Sequence, residues 1–138
     1  MVDTIARFEN IAQKSITYTG AAAGANTLFT VTGDVIVRIV AICTTSLASA
    51  AAANIEVGIA ADTDAILPTT LATDLDAREI WHDNTPDSEI EALSTIREYI
   101  IADGNDIIIT DSAITNSGTI LFYCMWQAFG GNGLVVAA

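Results

Sequence analysis

Basic side chains are scarce. Five Lys and Arg stand against seventeen Asp and Glu, leaving 138 residues with a formal net charge of -12. A nucleic-acid surface needs clustered cations to displace counterions from phosphates, and these five are scattered from Arg7 to Arg97. Nucleic acid is therefore not an expected partner. The same lack disfavours a jelly-roll shell protein that encloses a genome through a basic segment. The deficit is also uneven: up to Arg38, Asp3, Glu9 and Asp34 balance Arg7, Lys14 and Arg38, whereas from Ile39 onward fourteen acids face only Arg78 and Arg97.

Histidine occurs once, at His82, so general-base catalysis at neutral pH has a single candidate. Asp83 or Asp87 would have to orient it and Ser88 would have to act as nucleophile, yet no G-x-S-x-G elbow is present. An exposed loop histidine and a non-enzymatic chain are the expectation. Cysteine occurs twice, and Cys43 and Cys124 both fall in apolar runs where a cysteine serves as a small buried hydrophobe. A disulfide stays open as the alternative, since two positions do not fix a pairing. Long uncharged apolar runs are missing: Arg38 breaks the longest, so no membrane span is expected, and Asp3, Arg7 and Glu9 interrupt any secretory h-region.

Charged residues make up only 16% of the chain while hydrophobic ones reach 51%, against about 25% charged in an average soluble domain. Little remains to cover a surface with. Either the apolar residues are mostly small, or part of the exterior is buried against other copies or another protein. At this length one domain with one core is expected.

The stretch Asp34 to Cys43, DVIVRIVAIC, is apolar at both parities except at Arg38. A strand wet on one side alternates, so this one is expected in the middle of a sheet, covered front and back. Asn54 to Ala60 does alternate and is expected nearer an edge. Thr27 to Thr32 and Thr119 to Phe129 are further strands, with Gly33-Asp34 as a turn. Thr44 to Ala53 is expected to be a loop or one helical turn, and Pro68 is expected to stop a short strand at Ala65 to Leu67. Thr85-Pro86 is placed to start a helical turn or two. Asp103-Gly104-Asn105 between Glu98 to Ala102 and Asp106 to Thr110 reads as a hairpin. Eight or nine short strands in all favour an all-β, single-domain sandwich of jelly-roll type.

Residues 1–18 are expected to form an N-terminal arm ahead of a sandwich over residues 19–138. Asp3 is placed to cap a short helix over Met1 to Gln13, with Ile5, Phe8 and Ile11 at helical spacing. That segment either packs on its own domain or lies on a neighbouring subunit. The tail from Gly130 is expected to be loose unless it adds to a neighbour.

Asp62-Asp64, Asp74-Asp76, Asp103 and Asp106 offer the hard oxygens that calcium takes, but none fits the twelve-residue calcium loop. Solvated turn carboxylates are expected, and no cofactor. An ion shared between subunits is the alternative. Trp81, Tyr123 and Trp126 invite a sugar-platform reading, in a carbohydrate- or receptor-binding module of a tail fibre or adhesin. Tyr123 and Trp126 differ in parity within one strand, however, so they face opposite sides.

Four segments, GDVIVRIVAICTTSL (Gly33 to Leu47), NIEVGIAADTDAI (Asn54 to Ile66), EIWHDNTPDSEIEALS (Glu79 to Ser94) and GTILFYCMWQAFGGNG (Gly118 to Gly133), together resemble the head decoration, or capsid cement, proteins of tailed bacteriophages. The likeness runs from about Gly33 to Val136. It implies a β-sandwich that clusters, as a homotrimer, on the outside of a major capsid protein lattice, in a virion component made in a host cytoplasm. It carries no catalytic residues. Candidate contact residues are Ile5, Phe8, Ile11, Arg38, Trp81 and Trp126.

Overall fold

The computed structural model describes residues 10–82 and 86–138. Among the described residues there are ten strands: β1 (Asn10–Tyr18), β2 (Ala25–Thr32), β3 (Val35–Ala48), β4 (Asn54–Ile59), β5 (Asp62–Leu71), β6 (Ile80–Trp81), β7 (Tyr99–Ile101), β8 (Ile107–Asp111), β9 (Ser117–Ala128) and β10 (Leu134–Ala137). They form two antiparallel sheets. The first has the order β1-β9-β3-β6, with β7 also paired to β3; the second has the order β10-β2-β8-β4-β5. This is a single-domain β-sandwich.

The doubly apolar run is the middle of the first sheet, as its composition requires. On one side of β3, Val35, Val37, Ile39, Ala41 and Cys43 are buried against the second sheet. They meet Phe29, Ile55, Val57, Ile107 and Ile109 in one core, with Ile120, Phe122 and Cys124 of β9 beside them. β3 runs on through Thr44 to Ala48, into the first half of the stretch expected as a loop, because β9 continues to pair with it across two register shifts. At the second shift Gly118 has φ +113, and a Cβ there would run into Leu47 and the Ser46 carbonyl, so the close approach depends on glycine.

Several segments differ from expectation, in part because consecutive strands mostly change sheet. Asp103-Gly104-Asn105 does not close a hairpin. β7 pairs with β3 in the first sheet, while β8 lies between β2 and β4 in the second. The carboxylates there stitch the crossing together: Asp103 Oδ1 accepts the Gly33 N–H at 2.7 Å, Asp106 Oδ1 accepts that of Val31 at 3.0 Å, and Asp34 Oδ1 accepts that of Asp103 at 2.9 Å. β5 runs through Pro68 because it is an edge strand, where the missing N–H breaks no ladder. The tail is not loose: β10 pairs with β2 of its own chain.

Residues 10–18, expected within an arm, form β1 and pair with β9 from Asn10 opposite Trp126 to Tyr18 opposite Gly118. Asn10 to Gln13 are therefore strand. The rest of the expected helix, with Ile5 and Phe8, lies outside the described residues. Thr85 does too. Beyond it the only helical turn described before Ile96 is the 3-10 turn Leu93–Thr95.

Candidate interaction surfaces

Register sorts the residues of the first sheet into an inward and an outward set. Arg38 points outward from β3 but is only 7% exposed. Its Nη2 donates to Glu98 Oε1 at 2.7 Å, and its Nη1 approaches the Leu93 carbonyl at 3.5 Å. A guanidinium so placed is internal, closed over by the segment that leads into β7.

Trp81 is fully buried. Its ring stands edge-on to Phe122 with centroids 6.2 Å apart, and its Nε1 donates to Thr70 Oγ1 at 3.1 Å. No face of the indole is open for stacking, so it offers no sugar platform. Trp126 sits opposite Val37, turned inward and packed against the core, while Tyr123 sits opposite Val40 on the outer side. His82 is not an exposed loop residue. It is buried, with Nε2 3.5 Å from Glu91 Oε1.

Ile11 is 57% exposed. It heads an outward set in which Ile11, Gln13, Ser15 and Thr17 of β1 lie beside Met125, Tyr123, Leu121 and Thr119 of β9, with Val40 and Ile42 of β3 next in line. These positions are half-buried or exposed, and none carries a carboxylate. In a chain of net charge -12, a sheet face of this kind places no carboxylates of its own at a contact. Alternation alone did not reveal it, because the apolar outward residues of β3 and β9 made those strands look covered on both sides.

At the far end of β1, Tyr18 donates its hydroxyl to Asp111 Oδ1 at 3.1 Å. Burial pushes both groups up, the phenol further through the neighbouring Asp111 charge. The thiols of Cys43 and Cys124 are free and buried, pushed up to about 11 and about 12 by desolvation. The acids at 62, 64, 74 and 76 are exposed. Among the described residues no group of three or more His, Cys, Asp or Glu could hold a metal ion.

No protein-family model and no curated protein matches the chain. The class that the fold defines is an antiparallel two-sheet sandwich. Within it, the structure is similar to a chain of the acid-stable capsid of Helicobacter pylori bacteriophage KHP30, with a TM-score of 0.55, covering 94% of this chain and 93% of that one. Identity is 10%, so the likeness is one of fold.

Proposed function

We propose that this protein is a non-enzymatic virion component that decorates and cements the outer surface of a bacteriophage capsid. It binds across capsomers of the major capsid protein as an oligomer, a homotrimer, without nucleic acid, membrane or cofactor. The observation that carries the reading is the end-to-end fold likeness to a phage capsid chain. The scarcity of charge and the neutral outward face of the first sheet support it. Ile11 is the candidate contact residue that lies exposed; Ile5 and Phe8 precede it in the chain.

Magnitudes favour repetition over single-site strength. Three strands about 4.8 Å apart, over nine residues rising about 3.3 Å each, offer about 400 Å2. At about 25 cal/mol per Å2 that gives at most ~10 kcal/mol before association costs. A patch about half the size of a standard interface holds weakly alone and firmly in a lattice.

Capsids lacking the protein, mixed with purified chain and sedimented, test this directly. Saturable binding is expected, and it weakens when residues 1–9 are removed, a truncation that leaves β1 whole. Failure of the intact chain to bind would overturn the proposal, and unchanged occupancy after truncation would remove the first residues from the mechanism.

A further inference from the structure

Six successive residues, Lys14 through Thr19, line one cavity of about 340 Å3 with Ala22 and Asp111. Neighbouring residues of a strand point to opposite faces, so a cavity over one face meets only every second residue. Lining by both parities means that this cavity follows the strand's edge. β1 is the last strand of its sheet, paired with β9 on its other side. Such an edge presents a row of backbone N–H and C=O groups to whatever enters the groove.

A buried carboxylate is part of the lining: Asp111, 9% exposed, has Oδ1 taking the Tyr18 hydroxyl. A carboxylate accepts several hydrogen bonds, so it has capacity for a further donor. Lys14, also in the lining, donates its ammonium to the Ala138 main-chain oxygen. Ala21 and Ala22, also in the lining, are exposed methyl groups on the loop that follows Gly20, at φ +80.

We infer that this groove receives an extended segment of a partner protein, added to β1 as a further strand, with a Lys or Arg side chain reaching Asp111. Backbone pairing supplies the register, as in other strand additions, and the carboxylate supplies the choice of side chain. An acidic segment would be repelled by Asp111 and by the chain's net charge of -12; an apolar one would cover the carboxylate and leave it without the donor that water gives it. The inference goes beyond the capsid reading, and it stands whatever the partner assembles into.

The probe is a five-residue peptide, Ac-Thr-Val-Lys-Val-Thr-NH2, N-methylated at alternate positions so that it cannot stack on itself, beside its Glu counterpart. Titrated into 15N-labelled protein, the Lys peptide is expected to shift the amides of Lys14 to Asn26 and to bind at least fivefold more tightly than the Glu peptide. Asp111→Asn should abolish that preference. Ala22→Trp, on an exposed loop where folding is unaffected, should fill the groove and abolish binding. Shifts elsewhere, no shifts at millimolar peptide, equal affinities for the two peptides, or a preference that survives Asp111→Asn would each overturn the inference.

Discussion

Arg38 Nη2 lies 2.7 Å from Glu98 Oε1, an ion pair whose side chains are 9% and 27% exposed, on the outward face of the central strand. The guanidinium cannot be re-solvated without lifting the segment that follows Leu93. Removing Glu98 takes a carboxylate away from a charge held in a poor solvent, which costs more than the pair itself contributes.

Glu98→Ala is therefore expected to cost about 2–3 kcal/mol, less than the ~3–5 of a fully buried pair because Glu98 is partly wet. Arg38→Met combined with Glu98→Leu should recover most of that loss, since two apolar side chains of similar volume leave no charge behind. Urea unfolding of the parent and the two variants measures it. Equal stability of Glu98→Ala and the parent would show that the pair is solvated.

The free, buried Cys43 and Cys124, with thiols pushed up to about 11 and about 12, should not react with a thiol reagent in the native protein at pH 8. Two equivalents should react once the chain is unfolded. Register explains why no bridge is needed: Cys43 lies opposite Ile120 and Cys124 opposite Ile39, each filling a core site in the β3–β9 ladder. A midpoint of unfolding that fell on adding reductant would contradict this.

Stability should rise on mild acidification. Burial raises the Asp111 carboxyl, and burial with the neighbouring Asp76, Asp87 and Glu89 charges raises that of Glu79. A raised group holds its proton more tightly folded than unfolded. Its stabilising contribution is fully present below the unfolded value of about 4 and is lost as pH rises through the folded value. Relief of repulsion among the excess acids acts in the same direction. Dilute protein melted at pH 8 and pH 5 should show a midpoint higher at pH 5 by about 2–5 °C, the equivalent of roughly 1 kcal/mol. Asp111→Asn should flatten that slope, and a midpoint that falls between pH 8 and pH 5 would contradict the assignment.

What composition could reveal was the centre of the molecule. β3 and β9 were legible because they are apolar at both parities, and β4 because it alternates. Connections were not. A Gly turn between two strand-like runs looks alike whether the second strand folds back or crosses to the other sheet, and only tertiary pairing sent β7 to β3 and β8 to β2. β6 is two residues long, below the length at which alternation can be seen. Of the candidate contact residues, Ile11 lies exposed, whereas Arg38 and Trp81 are buried and held by Glu98 and Thr70, partners 60 and 11 residues away, which spacing along the chain does not show. The edge groove escaped notice because it depends on which strand ends the sheet.

Quantitative mass spectrometry of purified virions, counting this chain against the major capsid protein, tests the central claim most directly. A lattice-wide cement predicts hundreds of copies per particle in fixed ratio to the shell. A handful of copies, or none, would contradict it.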